Sequence, residues 1–147
     1  MFSEIEKNLE EAMALLGELG YDAKEVTAKE FHDYMTGETF SGDKTTIKDV
    51  INSEYLMVHE VVEITELKKR GLPIDKRTLV DSPKTVIYDS HLSAMEFELG
   101  YALRKGDLDW LRIRLGHHRE VLDDDPFLPE SMRPRALAIY DRFKEYE

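Results

Sequence analysis

Apolar residues recur three and four positions apart along almost the whole chain, and each run is bounded by residues that start or stop helices. Ile5, Leu9, Met13 and Leu16 form the first stripe. Ser3-Glu4-Ile5-Glu6 ahead of it reads as a capping box, and Gly17 and Gly20 close it. Thr27 and Glu30 repeat the box before Phe31, Tyr34 and Met35, with Gly37 as the stop. After a loop over 38–44, a long third helix starts near Thr46 and ends at Arg70-Gly71. It is expected to bury Val50, Ile51, Met57, Val58, Val61, Val62 and Ile64.

The longest connection covers 72–81, with a short extended piece expected at 77–80. Ser82-Pro83 supplies an N-cap and a proline at the first helical position for a fourth helix, which Gly106 stops. Asp107 caps a fifth helix with Leu111, Leu115, Val121 and Leu122 on one side, and Asp123-Asp124-Asp125-Pro126 breaks it. A last helix, from 129 or 133 to the end, is expected to turn Leu137, Tyr140 and Phe143 inward. Period-two alternation is nearly absent. The pattern therefore predicts an all-α, single-domain bundle of five or six helices, mostly antiparallel because the connections are short. Residues 1–44 read as an N-terminal helical appendage and 45–147 as the bundle core.

A chain of 147 residues suits one domain around one core. The absence of cysteine excludes a disulfide framework, a thiolate metal site and a cysteine nucleophile, so chemistry must come from histidine, carboxylates or hydroxyls. A net charge of -11, from 20 basic and 31 acidic residues, argues against a DNA partner or an anionic membrane surface, which need clustered Lys and Arg. No run approaches the ~20 apolar residues of a membrane span, and the first residues are acidic. A cytoplasmic location is expected.

The polar residues that interrupt the apolar stripes are the candidates for function. His59, Glu60 and Glu63 share the third helix, with His59 and Glu63 four apart on one side. His91 and Glu98 interrupt the stripe of the fourth, and His118 that of the fifth. Counting from the connections, His59 and His118 lie at one level, and His91 is about 4.5 Å away along the axis at ~1.5 Å per residue. Imidazole and carboxylate from facing helices build divalent-metal sites in bundles. The expected ligand set is His59, Glu60, Glu63, His91, Glu98 and His118, and the ion Mg, Mn, Zn or Fe. Such an ion would act on a small, nucleotide-like phosphate substrate. The alternative from the same residues is a salt-bridged, hydrogen-bonded core in an acidic helical scaffold or partner-binding protein.

Two short stretches resemble known families. The run from Glu98-Leu-Gly-Tyr-Ala-Leu-Arg-Lys-Gly-Asp to His117 resembles the heart of the MazG-like all-α nucleoside-triphosphate pyrophosphatases. The resemblance implies carboxylates on two helices holding Mg²⁺ on a triphosphate. Glu98 matches one carboxylate and Glu60-Val-Val-Glu63 matches an ExxE half, while Met95, Arg114 and His117 stand where others would be. Arg112-Ile-Arg-Leu-Gly-His117 resembles the Arg-x4-His pattern of HEPN-type ribonucleases, with Ile113 where a polar residue is usual. That resemblance implies a homodimer in which Arg112, Arg114 and His117 contact RNA phosphate.

Overall fold

The computed structural model describes residues 2–39 and 46–147. The connection expected over 38–44 lies largely outside the described residues. Six substantial helices form a single compact bundle, with no strand among the described residues. The order is α1 (Phe2–Glu18), α2 (Ala28–Met35), α3 (Ile47–Ile51), α4 (Glu54–Lys69), α5 (Thr78–Asp81), α6 (Lys84–Lys105), α7 (Leu108–Asp124) and α8 (Arg133–Phe143). Single 3₁₀ turns at Glu130–Met132 and Lys144–Tyr146 flank α8.

Local chemistry accounts for the boundaries, including those that depart from expectation. The long third helix is two, α3 and α4, because Ser53 leaves the helical region (φ -129°, ψ 117°) and its hydroxyl accepts from Leu56 N, starting α4 afresh. The piece at 77–80 is helical, not extended. Asp75 accepts from Arg77 N at 2.7 Å and Thr78 Oγ1 from Asp75 N at 2.8 Å, which winds the chain into one turn, α5. Ser3 lies inside α1, which already begins at Phe2, and Ser82 does not cap α6, whose N-cap position is Pro83. The Thr27/Glu30 box is formed, and so is one at Thr46/Asp49. Gly106, at φ 75°, ends α6 in the left-handed region that glycine adopts without strain.

The α4·α6 pair is the most extensive helix contact in the molecule. Around it lie two apolar clusters. The first gathers Ile5, Leu9 and Leu16 of α1, Phe31 of α2, Val50 of α3 and the Val58, Val62 and Ile64 side of α4. The second joins Leu92, Met95 and Leu99 of α6 to Leu111 and Leu115 of α7 and Ala136, Ile139 and Phe143 of α8. The inward side of α8 is thus 136, 139 and 143, and Leu137 is 49% exposed, a correction to the expected stripe. Apolar burial of this kind is the main favourable contribution to folding. Helix α4 meets neighbours on most of its circumference, so its polar residues His59, Glu63 and Thr65 are buried with the apolar ones. A buried polar group must find a partner, and besides the His59–Glu63 pair within α4 the partners come from α2, α6 and the backbone of Lys24.

Helix α1 packs on α4, and α2 packs on α1, within the first cluster. Asn8 of α1 donates to the Ile51 carbonyl at 3.0 Å, and Tyr21 donates to Glu66 at 2.7 Å. At the end of α2 the backbone of Gly37 lies against Lys76, so close that a Cβ on residue 37 would sit 2.6 Å from the Lys76 carbonyl oxygen. No described helix is long and apolar enough to cross a membrane.

Candidate metal centre

Two carboxylates hold His59 from opposite edges. Its Nδ1 lies 2.9 Å from Glu98 Oε1 across the α4–α6 interface, and its Nε2 lies 3.0 Å from Glu63 Oε2 one turn along α4. His91, from α6, brings Nδ1 to 3.5 Å from the same Glu63 Oε2, and its ring stands edge-on to His59 with centroids 5.0 Å apart. Tyr34, at the end of α2, donates to the other Glu63 oxygen at 2.5 Å. Three potential ligand atoms, one each from His59, Glu63 and His91, therefore lie within 4.8 Å of one another. His59 and Glu63 are buried and His91 is half-buried.

Behind this group, Glu98 is fully buried and held on every side. Arg114 of α7 reaches it with Nε at 2.6 Å from Oε2 and Nη2 at 2.9 Å from Oε1, and Trp110 Nε1 donates to Oε2 at 2.8 Å. The start of α7 delivers both. Asp107 caps the helix by accepting from Trp110 N at 3.1 Å and accepts from Tyr55 OH at 2.9 Å, while the Tyr55 and Trp110 rings stack at 5.1 Å. Trp110 and Arg114, four apart, then share the side of α7 that faces α6.

The charges follow from these contacts. Burial works against a charge on His59, but the hydrogen bonds to Glu63 and Glu98 outweigh it and push its pKa up to about 10. Burial also opposes charge on Glu63, yet His59 and His91 hold its carboxyl well below the usual carboxylate range. Glu98, buried as it is, is brought down to about 2 by His59 and Arg114. In the metal-free protein the centre is a carboxylate, an imidazolium and a second carboxylate in a row, flanked by a guanidinium.

Of the six candidate ligands, His59, Glu63 and His91 come together. Glu98 backs His59 instead of joining them, because Arg114 and Trp110 occupy its oxygens. Glu60 lines the adjoining cleft. His118 donates through Nε2 to the Ala136 carbonyl at 2.8 Å and is not one of the three. The arginines matched to phosphate contact are engaged elsewhere: Arg114 on Glu98, and Arg112 on the Tyr146 carbonyl at 2.9 Å. His117 Nδ1 lies 3.4 Å from Arg114. Tyr34, expected on the apolar side of its helix, and Trp110, outside the expected stripe, prove to be polar partners of the centre. The spacing of Tyr34 marked it as inward-facing, and nothing in it told which polar atom it would meet.

The three residues open onto a cleft of about 880 Å³ between α2, α4, α6 and α7. Its walls include Leu56, Ile87, Met95 and Val121 as well as Glu60, His117, Glu120 and Asp124. Comparison of the chain with family models, curated proteins and solved structures gives no match. The geometry of the centre therefore carries the functional reading.

Proposed function

We propose that the protein is a divalent-metal-dependent phosphohydrolase, with the ion held by His59, Glu63 and His91 and a small, nucleotide-like phosphate substrate bound in the cleft. The observation that carries this reading is the convergence of two imidazole nitrogens on one buried carboxylate oxygen, with one of the rings fixed from behind by Glu98. A carboxylate on the far nitrogen of a ligating histidine sets its tautomer and orientation, the usual arrangement around protein-bound zinc. Two nitrogens and a carboxylate suit Zn, Fe or Mn, and three protein ligands leave a position for water or a phosphoryl oxygen. An ion there would lower the pKa of its water and neutralise charge on the phosphoryl group. The cleft carries several carboxylates and its arginine is spent on Glu98, so the ion supplies the positive charge that an anionic substrate needs.

A second reading also has a specific observation in its favour. With both ring nitrogens engaged by carboxylates, His59 satisfies itself as a structural ion triad in a helical scaffold. Thermal unfolding of chelator-stripped protein with Mg²⁺, Mn²⁺, Zn²⁺ or Fe²⁺ added separately distinguishes the two. A native-state ligand at 100 times its dissociation constant adds about 2.7 kcal/mol. The metal reading expects stabilisation by one ion, lost in His91→Ala, whose half-exposed side chain makes the variant tolerable to the fold. Stability indifferent to every ion would leave the structural triad standing. Hydrolysis of 4-nitrophenyl phosphate and nucleoside triphosphates with the stabilising ion then tests the reaction.

A further inference from the structure

One buried polar group in the cleft wall has no role in holding the three ligands. His118 is 2% exposed and lines the same cleft as His59, Glu63 and His91. Its Nε2 faces the Ala136 carbonyl at 2.8 Å, and a carbonyl only accepts, so the proton sits on Nε2. Its Nδ1 is buried with no hydrogen-bond partner among the described residues. Burial outweighs the Ala136 bond and, with the guanidinium of Arg114 nearby, keeps the ring below its ordinary pKa, so Nδ1 presents a bare lone pair. Burying an acceptor without a partner opposes folding, and a leucine would fill the volume without that penalty.

The register of α6 and α7 gives the height of His118 along the bundle. The pairs Glu98–Arg114 and Tyr88–Asp125 show the two helices running antiparallel. One turn beyond Arg114, His118 therefore comes level with Ala94 and Met95, between the heights of Glu98 and His91. It does not belong to the trio of ligand atoms within 4.8 Å, so it is not placed as a fourth ligand. We propose that His118 Nδ1 is the hydrogen-bond acceptor for a water molecule bound to the metal at His59, Glu63 and His91. This rests on the metal reading above. An acceptor in the same cleft would take one hydrogen of that water and would leave its oxygen free to attack a phosphoryl group.

The test uses the intact, ¹⁵N-labelled protein and the metal alone, read by long-range ¹H–¹⁵N correlation of the five imidazoles during titration with Zn²⁺ and then ¹¹³Cd²⁺. The expected result is ¹¹³Cd coupling at His59 Nε2 and His91 Nδ1. His118 Nδ1 should show no coupling and should shift from a free lone pair to a hydrogen-bonded acceptor. If His59 and His91 respond and His118 does not move, the water acceptor is overturned and the metal centre stands. Coupling at His118 would make it a ligand and overturn the acceptor role in a different way. If no imidazole responds to either ion, the metal reading fails and the inference fails with it.

Discussion

Glu98 and His59 are joined across the α4–α6 interface by a 2.9 Å contact between Oε1 and Nδ1, and this contact determines which nitrogen of the histidine is available to the cleft. With Nδ1 engaged, only Nε2 can turn toward Glu63. Arg114 and Trp110 keep Glu98 in place, so two residues on α7 set the geometry of a candidate ligand on α4 through Glu98.

Removing that support should be costly twice over. Arg114→Leu leaves Glu98 buried without its guanidinium, and breaking a buried pair in this way costs about 3–5 kcal/mol. The same change should weaken metal binding by about 10–100-fold, the usual effect of losing a partner behind a ligating histidine. Urea unfolding and competition with a chromophoric chelator measure the two effects separately.

Tyr34→Phe removes the hydrogen bond to Glu63 Oε1 and keeps the ring. Bonds to charged groups contribute about 1.5–3 kcal/mol, so a loss in that range is expected from denaturant midpoints at constant m-value. Glu63 keeps its histidine partners, and metal binding should persist.

Metal binding should strengthen with pH. The ion takes the place of the proton on His59 Nε2, and that ring holds its proton to about pH 10 in the metal-free protein. Apparent affinity should therefore rise about tenfold per pH unit between pH 7 and 9, with one proton released per ion. Calorimetric titrations in buffers of different ionisation enthalpy read the proton directly, and a pH-independent affinity would contradict the assignment of His59 as a ligand.

The stability of the metal-free protein should show the opposite trend above neutrality. The folded pKa of His59 is raised, so its contribution is full below about pH 6.5 and is lost as pH rises toward about 10. Glu98 is depressed to about 2, so its contribution is full above about pH 4.5 and is lost as pH falls toward about 2. The window in which both act is about pH 4.5–6.5. The stability difference between wild type and His59→Asn should be largest there and should shrink by pH 9.

Gly37→Ala tests how α2 is held over the centre. The added Cβ would meet the Lys76 backbone at 2.6 Å from its oxygen and 2.8 Å from its Cα, neither of which can swing away as a side-chain tip would. Destabilisation of about 1–3 kcal/mol is expected, as for other overpacked sites. Hydrogen exchange should rise in α2 before it rises in α4.

The helical class, most boundaries and the height of the polar residues along the bundle were legible in the chain. Apolar spacing and caps are local, and a turn such as Gly106-Asp107 sets the level at which residues of successive helices meet. On that basis His59, Glu63, His91 and His118 belong within about a turn of one another, and the first three do converge. The break at Asn52-Ser53 was hidden because the apolar stripe runs straight across it. Rotation of each helix about its own axis depends on how whole surfaces interlock, and spacing leaves it open. Hence Leu137 was assigned inward when Ala136 and Ile139 are.

The same freedom of rotation explains what became of the six candidate ligands. The sequence determined that buried faces of three helices carry histidine and carboxylate at similar heights, because helical periodicity and loop lengths fix height. Tertiary structure alone decided that Arg114 and Trp110 take Glu98 out of the ligand set, that Ala136 fixes the His118 ring, and that Tyr34 joins from α2. Those choices depend on distances of a few ångströms between side chains far apart in the chain, and only packing sets them.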